Sequence, residues 1–485
     1  MSITSALSSA LSGLTATSRQ AEAVASNVAN AVTPGYARRE VSLTSLSLGG
    51  SGQGVAITGT TRQVDRFLID DRRVAQAAAG DRDVRAEFLK QMEKVFGDPT
   101  DAGSLSARIA AFDTALMEAA SRPESEGRLA AAADTARLLA QTLNQASDTV
   151  QAERLRADGQ IALAVDDLNS ALGQVRELNN QITNLTGAGR DASALLDQRQ
   201  QIVDSIAQIV PIRELERDNG QIALMTTGGA MLLDGKESVL EFTPVNTLVP
   251  EMTQASGGLS GLTLNGRPMS TAGETSLVLG GTLAGLFAVR DELAVQGQAR
   301  LDAVARDLVE RFGAAGLDTT LAPGAAGMFT DQGSAFDPLD EVGLSSRIAL
   351  NAAVDPQAGG QVWRMRDGLG AATPGAVGNA SLLIALSDAL TTARPTSSTA
   401  LPTASRSLAG LAADLLSFAS SDRLTAETEQ AFTAARHATL DEMEKAGGVD
   451  TDQELQSLLV IEKNYAANAK VIQTVDEMIK TLLGL

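Results

Sequence analysis

SNVANAVTPGYARRE, residues 26 to 40, is the stretch from which the rest of the sequence is best interpreted. An almost uncharged helical pattern runs here into Thr33-Pro34-Gly35-Tyr36. Pro34 fixes its own φ, removes a backbone donor and favours extended geometry at the residue before it, and Gly35 can adopt a positive φ. We therefore predict a helix that ends near residues 30 to 32, followed by a type II turn with Pro34 in its second position.

The segment before this turn carries one apolar stripe. Steps of three and four residues, the spacing of one helix face, connect Leu7, Leu11, Leu14, Ser18, Ala21, Ala25 and Val28. Arg19 and Glu22 are the charged residues that precede Arg38. Since a helix with so few charges is poorly solvated on its other faces, we expect it to pack against neighbours on several sides. Beyond the turn, residues 41 to 48 alternate as an extended segment whose phase shifts once, as at a β-bulge.

The C-terminal segment has a matching pattern. Its seam alternates steps of three and four residues, as in a coiled coil, through Leu458, Ile461, Tyr465, Asn468, Ile472, Val475, Ile479 and Leu482. Thr451-Asp-Gln-Glu454 has the form of a capping box, so we predict a helix that begins near Asp452. The two terminal helices can pair in one bundle with the rest of the chain looped out, or each can pack on a separate neighbour. Periodicity alone does not distinguish these arrangements.

The interior of the chain divides by composition. Long Ala-, Leu-, Gln- and Arg-rich stretches with helical spacing are followed by short alternating segments, separated by the hairpin signals Asp234-Gly235 and Asn265-Gly266. A later region is rich in Gly, Pro, Ser and Thr. We predict an α+β, predominantly α protein with a terminal domain (1–60 with 447–485), a long-helix domain (61–210 with 281–312 and 424–446), a small antiparallel β domain (211–280) and a loop-rich outer region (313–423).

Composition disfavours several classes of function. The sequence has 59 acidic and 39 basic residues and a formal charge of −20 at pH 7, which argues against nucleic acid and anionic membranes as partners. It has no cysteine and one histidine, so thiolate metal sites and cysteine nucleophiles are excluded. His437 lies in a helical stretch, and Trp363 is best interpreted as a packing anchor. We predict no catalytic residue, cofactor or metal site, and therefore a protein that is not an enzyme.

Both terminal motifs resemble those of a known family. SNVANAVTPGYARRE is similar to the Asn-x-Ala-Asn-x-x-Thr-Pro-Gly-Tyr signature of bacterial flagellar axial proteins, the family of rod, hook and hook-associated subunits. NYAANAKVIQTVDEMIKTLLGL, residues 464 to 485, is similar to the C-terminal signature of that family. VRELNNQITNLTGAGRDASALLDQRQQIVDSIAQIVPI (175–212) and GGTLAGLFAVRDELAVQ (280–296) resemble its hook-associated members.

The resemblance implies a structural subunit that joins the flagellar hook to the filament. The implied partners are the hook protein, a second hook–filament junction protein, copies of the chain itself in a ring-like layer, and an export chaperone before secretion. The implied location is the extracellular flagellum, reached from the cytoplasm without cleavage of a signal peptide. The N-terminal residues agree with this, because they lack the basic region and continuous apolar segment of a secretory signal.

We expect subunit assembly to depend on residues from both termini. They are Leu7, Leu11, Leu14, Ala25, Asn27, Val28, Asn30, Thr33, Pro34, Gly35, Tyr36, Leu458, Ile461, Tyr465, Asn468, Ile472, Val475, Ile479 and Leu482. In the free chain we expect both terminal helices to be largely disordered and to order on assembly. Two alternatives stay open: a hook or distal-rod subunit, and an adhesive binding module carried in residues 323 to 424.

Overall fold

The structure is a computed structural model that describes residues 3–48, 51–98, 100–273 and 276–484. The helices are α1 (Ile3–Ala29), α2 (Arg66–Phe96), α3 (Leu105–Ser121), α4 (Glu126–Gly187), α5 (Ser193–Ile209), α6 (Gly281–Ala288), α7 (Ala294–Phe312), α8 (Leu344–Arg347), α9 (Arg364–Asp367), α10 (Ser381–Thr391), α11 (Leu408–Ala446) and α12 (Thr451–Leu483). The strands are β1 (Arg38–Leu48), β2 (Ser51–Gln63), β3 (Ile212–Glu216), β4 (Ile222–Thr226), β5 (Met231–Asp234), β6 (Lys236–Glu237), β7 (Leu240–Glu241), β8 (Leu262–Leu264), β9 (Arg267–Met269), β10 (Phe329–Asp331) and β11 (Ile348–Leu350). The predicted class, predominantly α with small antiparallel sheets, is confirmed.

The long helix α4 organises the helical body. It runs for 62 residues, and at 1.5 Å per residue this corresponds to about 90 Å. Its buried apolar positions recur at helical spacing, for example Leu139, Leu143 and Val150, and face α3, α5 and α7. Helices α6 and α7 are joined without a break by a π-helical turn, Val289–Leu293. The long helices that the sequence predicts therefore form the core of the molecule.

The small β domain contains both hairpins that the sequence predicts. Asp234 and Lys236 pair across Gly235, whose φ of +71° is the left-handed value that glycine tolerates. Asn265 and Gly266, with φ of +51° and +74°, turn the chain from β8 into β9. The strands form two antiparallel sheets, ordered β3-β4-β5-β6 and β7-β8-β9. These short sheets pack on α4 rather than forming a separate core.

Residues 313–423 consist mostly of turns and short elements up to Ala380, as the composition suggests, but they are packed on the helical body. β10 and β11 pair, and Phe329 packs against Phe312 and Phe112 with ring centroids 5.2 and 6.0 Å apart. The apolar residues of this region belong to the same hydrophobic core as the long helices. Glycine and proline therefore mark the turns of a packed segment here. The division into four domains stays a prediction.

Helix α11 begins at Leu408, whereas the sequence places its start after Leu424. The Ser407 side chain caps it by accepting a hydrogen bond from Gly410 N–H. Leu411 and Leu415 then bury one face of the first turns. The preceding Ser-, Thr- and Pro-rich run obscured this capped start in the sequence.

Arginine–carboxylate pairs fasten α11 and α5 to α2. Arg72 pairs with Asp204 at 2.8 Å and with Glu444 near the end of α11, and Arg73 pairs with Asp204 at 2.7 Å and with Glu214 at 2.9 Å. Burial alone would lower the pKa of Arg73, but the carboxylates of Asp204 and Glu214 hold it above its usual value. These charges are therefore paired as they are buried.

The Arg366–Asp367 pair joins residues 313–423 to the helical body. Arg366 donates to Asp367 at 2.6 and 3.0 Å and to the carbonyl oxygen of Pro123, between α3 and α4, at 3.1 Å. Asp367 also accepts from Gly375 N–H at 3.0 Å. Hydrogen bonds from Arg366, opposed by burial, hold the pKa of Asp367 below its ordinary value.

We predict that Asp367→Asn lowers the free energy of unfolding at pH 7 by about 1 to 3 kcal/mol. A carboxyl group whose pKa is lower in the folded chain stabilises that state above its unfolded pKa and loses this effect as the pH falls. The difference between variant and wild type should therefore shrink below about pH 4. Urea unfolding at pH 7 and at pH 3 measures this difference in the free energy of unfolding. The exposed Asp148→Asn is the control, and an equal effect of both variants at pH 7 would contradict the assignment.

Candidate assembly interface

The turn after α1 has the geometry that the sequence predicts. The helix ends at Ala29, and Thr33 N–H donates to Asn30 O at 2.9 Å. Tyr36 N–H then donates to Thr33 O at 3.2 Å, and Gly35 has a φ of +73°. The hydrogen bond and the positive φ at the third position are those of a type II turn with Pro34 in its second position.

Asn27 is the centre of this motif. Its side chain is fully buried, and its amide nitrogen donates to Arg39 O at 3.0 Å and to Glu454 Oε2 at 3.1 Å. Its amide oxygen accepts from Arg39 N–H and from the Tyr36 hydroxyl, both at 2.9 Å. One amide group therefore fixes the end of α1, the start of β1 and the first turn of α12.

Glu454 has a different role from the one predicted by the capping pattern. Asp450 caps α12, because its carboxylate accepts from the N–H groups of Asp452 and Gln453. Glu454 is fully buried and accepts from Arg38 Nε at 2.6 Å as well as from Asn27. The N-cap therefore lies one residue before the predicted Thr451, and Glu454, the acidic member of the predicted capping box, joins the two chain termini.

Asp197 connects the motif to the helical body. This α5 side chain accepts from Arg39 at 2.8 Å, from Arg62 of β2 at 2.8 Å and from Ala37 N–H at 3.3 Å. Gln201, one turn later, donates to Pro34 O. Sequence reasoning missed Arg38, Arg39 and Asp197 as motif partners. The consecutive arginines directly after the turn were the available signal.

Helices α1 and α12 pack on each other, as in the paired arrangement considered from the sequence. A Cβ atom at Gly13 would lie 2.7 Å from Asn468 Nδ2, so the Asn468 side chain packs directly on α1 at this glycine. Val475 is 2% exposed and is the most buried member of the predicted seam. Ile461, Asn468, Ile472 and Ile479 are half-buried, while Leu458, Tyr465 and Leu482 are exposed.

The buried face of α1 differs from the predicted stripe. Ala10, Thr17 and Val24 are buried, and they lie one residue before Leu11, Ser18 and Ala25 of that stripe. Leu11 is 49% exposed and Val28 37%, Ala25 is exposed, and Leu7 and Leu14 are half-buried. The physical reason is Asn27, which lies on the same buried face and is fixed there by its hydrogen bonds to Arg39 and Glu454. The leucines of the predicted stripe are left partly in solvent.

The β1–β2 ribbon lies against α1. Its antiparallel register shifts twice, at Ser42/Leu43 and at Leu46/Ser47, whereas the sequence predicts one shift. Val55 N–H donates to Ser12 Oγ of α1 at 3.2 Å. The predicted extended segment is therefore one strand of a hairpin. Within the motif, Thr33 and Pro34 are exposed, and Asn30, Gly35 and Tyr36 are half-buried.

Other candidate chemistry stays dispersed. His437 is half-buried on α11, and Trp363 is half-buried with the Arg364 guanidinium 5.4 Å from its ring.

In the described ranges no group of three or more His, Cys, Asp or Glu residues could hold a metal ion. Among the helices that the structure describes, none has both the length and the apolar character needed to cross a bilayer. Ring contacts of the described residues do not include a Tyr36–Tyr465 pair.

We predict that Asn27→Ala destabilises the terminal region by about 3 kcal/mol, because it removes the hydrogen bonds that Asn27 makes to the buried Glu454 Oε2 and to Arg39 N–H. Amide hydrogen exchange should then rise in α1, β1 and α12, while the fluorescence of Trp363 in the helical body stays unchanged. Asn30→Ala is the matched control, since its side chain donates within its own helix end, to Ser26 O. Equal exchange in the two variants would contradict a central role for Asn27.

Three family models match successive parts of this chain. Residues 7–36 match "Flagella basal body rod protein", residues 89–328 match "Flagellar hook-associated protein FlgK helical domain", and residues 442–485 match "Flagellar basal body rod FlgEFG protein C-terminal". The first and third contain α1 with its turn and α12. The second contains α3 to α7. The matched segments therefore coincide with the terminal pair and with the helical body.

Relatives with the name "Flagellar hook-associated protein 1" show the same similarity. The Escherichia coli protein is 25% identical over an alignment that covers 100% of each chain. The Bacillus subtilis protein is 29% identical over 47% of this chain and 47% of its own, and the Salmonella typhimurium protein 27% over 53% and 48%. The aligned part thus spans about half the length of the latter two relatives.

A solved structure, "The structure of the flagellar hook junction protein FlgK from Burkholderia pseudomallei", aligns with 54% of this chain and 46% of its own at 20% identity and a TM-score of 0.44. This chain is thus similar to flagellar hook-associated protein 1 over its helical middle, and to flagellar rod and hook proteins at its two ends.

Proposed function

We propose that this chain is a structural subunit of the bacterial flagellum that joins the hook to the filament through its terminal helices. The observation that carries the proposal is the partly exposed apolar surface of α1 and α12, which in α1 lies on an almost uncharged helix. No charged residue occurs in α1 before Arg19, and Arg19 pairs with Glu22 at 2.8 Å. A helix of this composition gains stability when a neighbouring subunit covers it.

The apolar surface of α12 lies beside the seam that faces α1. Val460, Val471 and Met478 are 57%, 43% and 44% exposed, and their spacing of 11 and 7 residues places them on one line of the helix. Leu455 and Leu459, at 51% and 58%, add apolar surface near the start of the helix. In a single chain this surface is solvated. Burial of it between copies would supply the hydrophobic free energy for assembly.

The proposed assembly residues then divide into two groups. Asn27 and Val475 are buried within the chain and shape the terminal region, and Tyr36 supports them from the turn. The exposed or half-buried Leu7, Leu11, Leu14, Ala25 and Val28, with Leu458, Tyr465 and Leu482, contact neighbouring subunits. Both helices are formed and paired in the structure of the single chain. Their disorder before assembly stays a prediction.

The partners follow from the same proposal. They are the hook protein, a second junction protein, copies of this chain in a ring-like layer, and an export chaperone before secretion to the extracellular flagellum without signal-peptide cleavage. The role is structural rather than catalytic. Names of the relatives support the flagellar location and leave each of these partners to be tested.

Deletion of the protein tests the proposal against its main alternative. Loss of a junction subunit should leave cells with hooks but without filaments, and flagellin should accumulate in the medium. Loss of a hook or distal-rod subunit should remove the hooks themselves. Electron microscopy of the deletion strain distinguishes the two outcomes. The adhesive alternative has weaker support, because residues 313–423 share the core of the helical body.

We predict that Val471→Asp abolishes filament attachment while the isolated chain keeps its fold. The side chain is 43% exposed, so the charge is tolerated in the free chain but would be buried without a partner in the assembly. Val475→Asp is less informative, because Val475 is 2% exposed within the chain itself. Motility and electron microscopy of complemented cells measure the effect, and circular dichroism checks the fold.

Gln473→Asp is the matched control for this experiment. It places the same charge on an exposed position of α12, two residues along the helix and away from the apolar line. Normal filaments on Val471→Asp, or equal loss in both variants, would contradict assembly through this surface.

A further inference from the structure

A cleft of about 1030 Å³ lies between the terminal region and the helical body. One wall consists of α1 and the β1–β2 ribbon. The other consists of the start of α2, the connection from α4 to α5, and β3. Arg19, Glu22, Ala23 and Ser26 of α1 line the cleft, so one of its walls belongs to a helix of the proposed assembly surface.

Arg199 is the first of two features that define the chemistry of this cleft. Its side chain is buried, with 7% of the residue exposed, and it donates to Asn179 Oδ1 at 2.8 Å and to Gly220 O at 2.7 Å. Both acceptors are neutral. Burial lowers the pKa of Arg199 to about 10, against the opposing effect of the Glu214 carboxylate, so the guanidinium stays charged at neutral pH. Among the described residues, no carboxylate forms an ion pair with it.

The second feature is a surplus of guanidinium donors on the same walls. Arg39 and Arg62 share one carboxylate, that of Asp197. The Nε atom of Arg39 is buried and has no acceptor in the described part of the chain. Arg190, in the connection from α4 to α5, is exposed and forms no ion pair within the described ranges. Arg190 is thus left for an external acceptor, and Arg199 adds a positive charge that no carboxylate of the described residues pairs with.

The carboxylates of the cleft are engaged by their own neighbours. Arginines pair with Glu22, Glu214 and Glu216. Asp191 accepts from Ser193 N–H at 2.8 Å and from its hydroxyl at 2.6 Å. Asp70 lies 3.7 Å from Arg73, and burial raises its pKa. A ligand would therefore meet free guanidinium donors in preference to free carboxylates.

We propose that this cleft binds an acidic segment, rich in Asp or Glu, of a second copy of this chain. Guanidinium groups bind carboxylates through paired, charge-assisted hydrogen bonds. The chain has 59 acidic residues, so a second copy can supply the carboxylates that these donors bind. The inference deepens the proposed function, because α1 and the ribbon form one wall. It adds a polar contact between copies to the apolar one.

The test measures the binding of an acidic peptide to the cleft of the full-length chain before any assembly. Fluorescently labelled hexaglutamate is titrated into monomeric protein at low ionic strength, with monomers verified by light scattering and binding followed by anisotropy. Arg190→Glu should weaken binding by about tenfold or more, since it removes one charge-assisted contact and adds repulsion. Arg156→Glu is the matched control, because its side chain is 61% exposed on α4 and pairs with Glu153 at 2.6 Å. Arg199→Gln, with its fold verified by circular dichroism, should also weaken binding.

Equal affinities of wild type, Arg190→Glu and Arg156→Glu for the peptide would overturn the proposal. The proposal would also be overturned if Arg190→Glu subunits assembled at the same rate, and with the same dependence on salt, as the wild type. If Val471→Asp fails to assemble and Arg190→Glu assembles normally, the proposed function stands. The cleft is then rejected as a contact between copies. Inhibition of wild-type assembly by hexaglutamate, but not by hexalysine, is the expected result.

Discussion

The buried amide of Asn27 is the interaction on which the terminal region depends. It satisfies two backbone groups of Arg39, the Tyr36 hydroxyl and the Glu454 carboxylate, each within 3.1 Å. A buried polar group without such partners would cost free energy, so the turn, the first strand and the last helix can form together only in this arrangement. An amide is well suited to this role, because it donates on one side and accepts on the other.

The same arrangement explains why apolar surface remains exposed. The hydrogen bonds of Asn27 hold its face of α1, with Ala10, Thr17 and Val24, toward the interior. A helix cannot bury every face against a single partner, so the leucine face stays near solvent. In the terminal pair, the buried polar groups of the junction therefore have partners, whereas part of the apolar surface is still exposed. This incompleteness is the physical basis of the proposed assembly.

Arginine–carboxylate contacts connect this junction to the rest of the chain. Asp197 holds the strands of the ribbon through Arg39 and Arg62, and Arg72 ties α2 to Asp204 and Glu444. Residues 313–423 are joined to the body both by Arg366 and by the aromatic cluster around Phe329. Forces on the terminal helices would thus pass into one continuous core. A rigid connection of this kind suits a subunit that links two parts of a filamentous structure.

The sequence by itself determined the elements whose signals are local. Pro34-Gly35 specified the turn, helical spacing specified the long helices, and Asn265-Gly266 specified a hairpin, because each depends on backbone preferences of adjacent residues. The terminal motifs and the helical middle also carry the resemblance to flagellar axial proteins. Tertiary structure decided which face of α1 is buried, the partners of Glu454 and Asp197, and the packing of residues 313–423. These features depend on contacts between residues far apart in the chain, and spacing along one helix contains no information about the size and charge of what it meets.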